Sequence, residues 1–181
     1  MLQDMQKFMV FDVESVGLHG EGFYVGLVVV DETGKELESL TFMCDPDDVI
    51  GTPEGRDWVK TNVPKNTILG EPMTLAEVRT AFWDVWLLWK ERGATLWADC
   101  SWPVEARFLA ECVDDSAQAR EWEGPYPLHE IATLALACGV NPLGTFERLP
   151  NELPAHNPLN DAAQSARLLI GYMRQLGIVG V

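Results

Sequence analysis

Cations, paired cysteines and long apolar runs are what this chain has little of. Lysine and arginine number 13 against 28 acidic residues, for a formal net charge of −15. A protein that grips long nucleic acid through many phosphates carries the opposite balance. The shortage argues against non-specific binding to duplex DNA. It tolerates a short substrate held at one cleft loaded with divalent cations, which locally invert the field. It equally tolerates a small-molecule enzyme or a protein-binding module. The four cysteines, Cys44, Cys100, Cys112 and Cys138, are scattered without a CxxC pair, so no disulfide is called for. No apolar stretch approaches the roughly 18 residues of a membrane span. The opening residues have no basic start followed by an apolar signal segment. These absences lead us to expect a cytoplasmic protein with reduced thiols and no membrane partner. With 181 residues, 47% of them apolar, one domain over 1–181 is expected.

The hydrophobic pattern predicts an α/β fold. Residues 7–14 read as a buried strand and 23–31 as a second, rich in β-branched residues. A turn at Asp31-Glu32-Thr33-Gly34 leads to an alternating third strand over 36–43. Residues 45–73 are rich in Pro, Gly and Asp, with a short helix near 53–62. A long helix is predicted over 74–92, with Thr74 and Glu77 forming a capping box and Gly93 as the stop. A fourth strand follows at 94–98, then helices over 103–112, 128–138 and 158–175, the last opened by Asn157 and Pro158. Residues 139–157 read as a loop. An antiparallel N-terminal meander followed by parallel strands, flanked by helices, gives a mixed sheet.

Two short motifs at opposite ends of the chain carry the chemistry. Asp12 and Glu14 end the first apolar run, Phe8-Met9-Val10-Phe11-Asp12-Val13-Glu14-Ser15. Period-two alternation points both carboxylates to one face. His156-Asn157-Pro158-Leu159-Asn160-Asp161 sets an imidazole in a loop and an acid in the first turn of a helix. Brought together, these would make a site for two-metal phosphodiester cleavage, with Asp12 bridging cations about 3.5–4 Å apart. All-oxygen ligands suit Mg²⁺ or Mn²⁺. Histidine, a residue type that titrates near neutral pH, suits His156 to the role of general base. A further acid is expected near the middle of the chain, and two are available. Asp99 ends the fourth strand, and Glu105 lies in the first turn of the helix after it.

These residues resemble the DEDDh 3′-5′ exonucleases of the ribonuclease H-like superfamily. Asp12-Val13-Glu14-Ser15 with the following Gly17-Leu18 resembles their first motif, and His156 to Asp161 their last. The middle segment resembles oligoribonuclease and the ribonuclease T-like exoribonucleases: laid on that pattern without gaps, Phe108-Leu109 match and the acid falls on Glu105. The family has aspartate there, which is a departure, and Asp99 stands as the alternative ligand. Gly55 to Val63 is similar to a short helix in bacterial exoribonucleases of this class. The resemblance spans about 7–175. It implies a ribonuclease H-like sheet, two divalent cations, and stepwise release of nucleoside 5′-monophosphates from 3′ ends of single-stranded RNA or short oligonucleotides. It makes Asp12, Glu14, Glu105 and Asp161 the metal ligands, and Leu18 a wedge beside the terminal nucleotide. A proofreading-type exonuclease of single-stranded DNA, or a relative that binds without cleaving, are the alternatives.

Other residues have two readings. Gly17 would let the backbone approach a nucleotide closely, beside Ser15. Trp102, three residues before Glu105, would stack on a base or simply pack. Trp83, Trp86 and Trp89 recur along one helix, either as core or as the face of a homodimer. Arg107 is a phosphate contact or an ordinary surface arginine. The acids at 31–32 and 45–48 read as solvated turns, and His19 and His129 as structural or surface residues.

Overall fold

The computed structural model describes residues 5–64 and 73–180. Strand β1 (Lys7–Ser15) lies at the centre of a five-stranded sheet. β2 (Gly22–Asp31) pairs antiparallel with β1, and β3 (Glu36–Met43) pairs antiparallel with β2. β4 (Ala94–Ala98) runs parallel to β1 on its other side, and β5 (His129–Glu130) runs parallel to β4. The order is therefore β3-β2-β1-β4-β5. The α-helices among the described residues are α1 (Pro53–Asn62), α2 (Leu75–Glu91), α3 (Val104–Asp114), α4 (Ala117–Arg120), α5 (Ile131–Ala137) and α6 (Pro158–Gln175). The expected α/β mixed sheet is thus present. Of the stretch read over 45–73, residues 65–72 lie outside the described residues.

Alternation along β1 builds two cores. Met9, Phe11 and Val13 face α2 and α3, whereas Phe8 and Val10 face α5 and α6. Trp83, Trp86 and Trp89 of α2 are buried in the first core with Phe82 and Phe108. Removing one such ring from water contributes on the order of 1.5–3 kcal/mol. The tryptophan row is therefore core, and the dimer-face reading is withdrawn: these rings cover the sheet and have no surface left for a second copy. The expected capping box holds, with Thr74 Oγ1 accepting the Glu77 amide and Glu77 accepting the Thr74 amide.

The structure corrects three further expectations. The helix read over 128–138 begins only at Ile131, because His129 and Glu130 pair with Trp97 and Ala98 as an edge strand. His129 stacks on Trp97 at 4.5 Å. Asp31 is not solvated: its Oδ1 accepts the Thr33 amide and hydroxyl and the Lys35 amide, closing the β2–β3 turn. The loop read over 139–157 contains a single 3-10 turn at Pro150–Glu152. No helix among the described residues is long and apolar enough to cross a membrane, and the four cysteines are unpaired.

One glycine positions the second core. Gly26 lies opposite Asp12 in the β1–β2 ladder. A Cβ built there would stand 2.2 Å from the Leu159 nitrogen and 2.3 Å from the Pro158 carbonyl carbon. Only a residue without a side chain lets the first turn of α6 lie on the sheet beside Asp12.

Candidate active site

β1 and β4 run side by side only as far as Phe11 and Ala98. Past that pair the strands part, and the C-terminal end of β1 opens a crevice of the kind where parallel sheets place their sites. Asp12 and Glu14 continue the row of Phe8 and Val10, so they point toward α6. Asn157 caps α6 by accepting the Leu159 and Asn160 amides, and Pro158 occupies the first turn. This cap sets Asp161 in the first turn, facing Asp12. Glu105 comes from the opposite core: the first turn of α3 carries it to the gap beyond Ala98, where its carboxylate accepts the amides of Val13 and of Glu105 itself. Asp99 directly follows β4, at the rim of the site.

The structure therefore gathers Asp12, Glu14, Asp99, Glu105, His156 and Asp161. Donor atoms of Glu14, His156 and Asp161 all lie within 4.8 Å of one another. His156 Nδ1 is 3.8 Å from Glu14 Oε1. His156 itself adopts a left-handed backbone, φ 60°, unusual for a residue with a Cβ. That turn directs its ring back over the acids, and its amide donates to the Asp161 carboxylate.

Burial and mutual repulsion dominate the electrostatics. The Asp12 carboxyl is held well above the usual range, first by desolvation, then by Glu105, Asp161, Glu14 and Asp99 in decreasing order. Glu14 is pushed up to about 7 by desolvation and by Asp161. Glu105 is pushed up to about 8, again first by desolvation. Asp99 is raised by desolvation, then by Glu130 and Asp161. Asp161 is raised less freely, because Arg148 and His156 pull against its burial.

These residues fit a divalent cation. The donor set is oxygen with one imidazole nitrogen, suited to a hard ion. Asp161 Oδ1 is fully buried and, with only the Arg148 guanidinium against it, accepts no hydrogen bond of good geometry. Clustered carboxylates that repel one another gain most from a cation.

A cleft of about 490 Å³ opens beside the acids, lined by Glu14, Ser15, Gly17, Leu18, Thr52 and Trp58 among others. Ser15 Oγ donates to the Gly17 carbonyl, and Gly17 turns the chain with φ 88°. Leu18 projects from this turn, 68% exposed. Trp102, 72% exposed, is not among the residues lining the cleft. Arg107 is engaged elsewhere, on Glu111 at 2.6 Å and on the His19 carbonyl.

Several residues here were not anticipated. Trp58 of α1 meets the His156 ring edge-on at 4.9 Å. Glu130 accepts the Ser101 amide and hydroxyl, both at 2.8 Å, and so fixes the loop between β4 and α3. Arg148 lies 2.5 Å from Asp161 Oδ1. Glu130 and Arg148 have no spacing signature, whereas Trp58 lies within the Gly55 to Val63 run singled out by resemblance.

No family model matches this sequence, and no curated protein does. Solved structures match in fold. Apo exonuclease I aligns over 98% of this chain and 48% of its own, at 12% identity and a TM-score of 0.62. The chain shares its fold with exonuclease I. An E. coli exonuclease I complex with a dT13 oligonucleotide aligns over 96% and 42%, at 12% identity and a TM-score of 0.66. Exonuclease I from Methylocaldum szegediense aligns over 93% and 40%, at 16% identity and a TM-score of 0.59. The chain thus spans less than half the length of these exonuclease I chains, and its sheet has their ribonuclease H-like architecture.

Proposed function

We propose that this chain is a single domain, 1–181, with metal-dependent 3′-5′ exonuclease activity on single-stranded nucleic acid. The observation that carries the reading is the convergence of Asp12, Glu14, Glu105, Asp161 and His156 at the open end of β1. Two divalent cations, Mg²⁺ or Mn²⁺, would be held by Asp12, Glu14, Glu105 and Asp161. Bound cations supply positive charge to a phosphodiester in its transition state and lower the pKa of water.

The chain's own residues do the rest. His156, at the exposed edge of the acids, takes the proton from the attacking water. Glu14, 3.8 Å from its Nδ1, helps orient the ring. Glu105 is preferred over Asp99 as the middle ligand, because Glu105 is buried against β1 and exerts the largest charge effect on Asp12. Ser15, Gly17 and Leu18 form the wall against which a terminal nucleotide would rest, in a cleft that Trp58 also lines. Trp102 keeps only a peripheral stacking role. Release of nucleoside 5′-monophosphates in a cytoplasmic setting completes the reading.

RNA and short oligonucleotides suit the acidic chain, which lacks the cations to hold a long duplex. Single-stranded DNA is the second reading, favoured by the dT13 complex of the E. coli neighbour. The test is degradation of 3′- and 5′-labelled single-stranded RNA and DNA of equal sequence, with Mn²⁺, Mg²⁺ or chelator. A ladder shortening from the 3′ end and lost with chelator is expected, and the faster substrate names the sugar. No cleavage under any metal would sink the reading and leave a relative that binds without cutting.

A further inference from the structure

Arg148 is the one described cation whose charged group lies against the acids of the site. Its Nη1 stands 2.5 Å from Asp161 Oδ1. The contact is close but badly aimed, since that buried oxygen accepts no hydrogen bond of good geometry. The well-formed bond of the same nitrogen goes elsewhere, to the Glu152 carbonyl at 2.9 Å. Glu152 is itself immobilised. Arg167 holds both of its carboxylate oxygens, at 2.5 and 2.8 Å, and the Leu149 amide adds a third bond at 2.8 Å. The guanidinium is therefore anchored from behind by a rigid turn and leans forward on a carboxylate.

That arrangement is unlike a brace. A brace would give its best geometry to the charged partner, as Arg167 does to Glu152. Arg148 gives its best geometry to a neutral carbonyl and can leave Asp161 without losing its anchor. Asp161 is also one of the three residues whose donor atoms converge within 4.8 Å. A cation among those atoms and a guanidinium on Oδ1 would repel at close range.

The geometry points to Arg148 as a built-in counter-cation that competes with a divalent metal for Asp161. It is a positioning residue: it neutralises Asp161 in the metal-free site and weakens metal binding by having to be displaced. This rests on the proposed metal site.

The test is calorimetric titration of the metal-free full chain with Mn²⁺. Arg148→Gln is expected to bind Mn²⁺ on the order of tenfold tighter, the lower end of what outer-shell changes do to metal affinity. Arg148→Lys, which keeps the charge, should restore nearly wild-type affinity. Arg174→Gln removes the same charge from the far end of α6 and should change nothing. Equal or weaker binding by Arg148→Gln would overturn the competition while leaving the metal site standing. Mn²⁺ bound by neither protein would overturn both. Should Arg148→Gln not fold, side-chain NMR of the wild type gives the answer. The Arg148 Nε resonance, assigned by its absence from Arg148→Lys, should move with Mg²⁺ at the calorimetric midpoint, and a resonance that stays put overturns the proposal.

Discussion

Glu152 and Glu105 are both buried glutamates, and the protein treats them in opposite ways. Glu152, 2% exposed, is gripped by Arg167 in a two-point ion pair and capped by the Leu149 amide, so its carboxyl is held below the usual range. Glu105 has backbone amides but no cation, and its carboxyl is pushed up to about 8. One buried acid is complete within the chain. The other, with Asp12 and Glu14 beside it, is incomplete without something from outside. Buried charge is tolerated when paired and costly when not, so an unpaired cluster marks a place where function overrides stability.

The contrast can be broken most forcefully at Asp12. Asp12→Asn removes charge from the repelling cluster while keeping its shape. Turnover should fall on the order of 10²–10³-fold, the scale of losing one transition-state charge stabiliser. Thermal stability of the metal-free protein should rise. Retained activity would mean that the cluster is not the catalytic centre.

The next largest effect is in pH. Glu14 and Glu105 have folded values of about 7 and about 8, above the ordinary 4.5. A raised folded value gives stability that is fully present below the unfolded value and is lost as pH rises through the folded one. Metal-free protein should therefore lose on the order of a few kcal/mol between about pH 5 and pH 8. Saturating Mg²⁺ should flatten that slope. Glu152 has the opposite sign, its contribution disappearing only as pH falls through its lowered value. Denaturant melts at stepped pH, with and without Mg²⁺, check both statements.

The smallest effect sharpens the other half. Glu152→Gln leaves Arg167 without its charge partner. Because Arg167 is partly in water, the loss should be about 1–2 kcal/mol, less than for a fully buried pair. Chemical denaturation measures it, and an unchanged stability would mean that the pair is not a brace.

Much of this molecule was legible in its sequence where signals are local. The meander over β1 to β3, the Thr74–Glu77 capping box, and the Asn157–Pro158 start of α6 each depend on neighbours in the chain. The Asp12, Glu14 and Asp161 positions followed from those elements. What escaped depends on partners far apart. Arg148 reaches Asp161 from a stretch rich in Gly and Pro that carries no periodicity. Glu152 and Arg167 are joined across a turn by nothing in their spacing. β5 is two residues long, too short to leave an alternating trace before the helical pattern of Ile131 takes over. Gly26 did leave a signal, an isolated glycine within a β-branched run, whose meaning needed the opposing helix to be known.

That glycine ties the chemistry to a missing methyl group. The depth at which Asp161 meets Asp12 is set by a hydrogen atom where any other residue would place carbon. Position 26 carries no charge, touches no phosphate and titrates nothing. Yet in a library randomised at every site it should prove as intolerant as the acids themselves, because the helix that delivers one carboxylate rests on empty space held open by the strand beside the other.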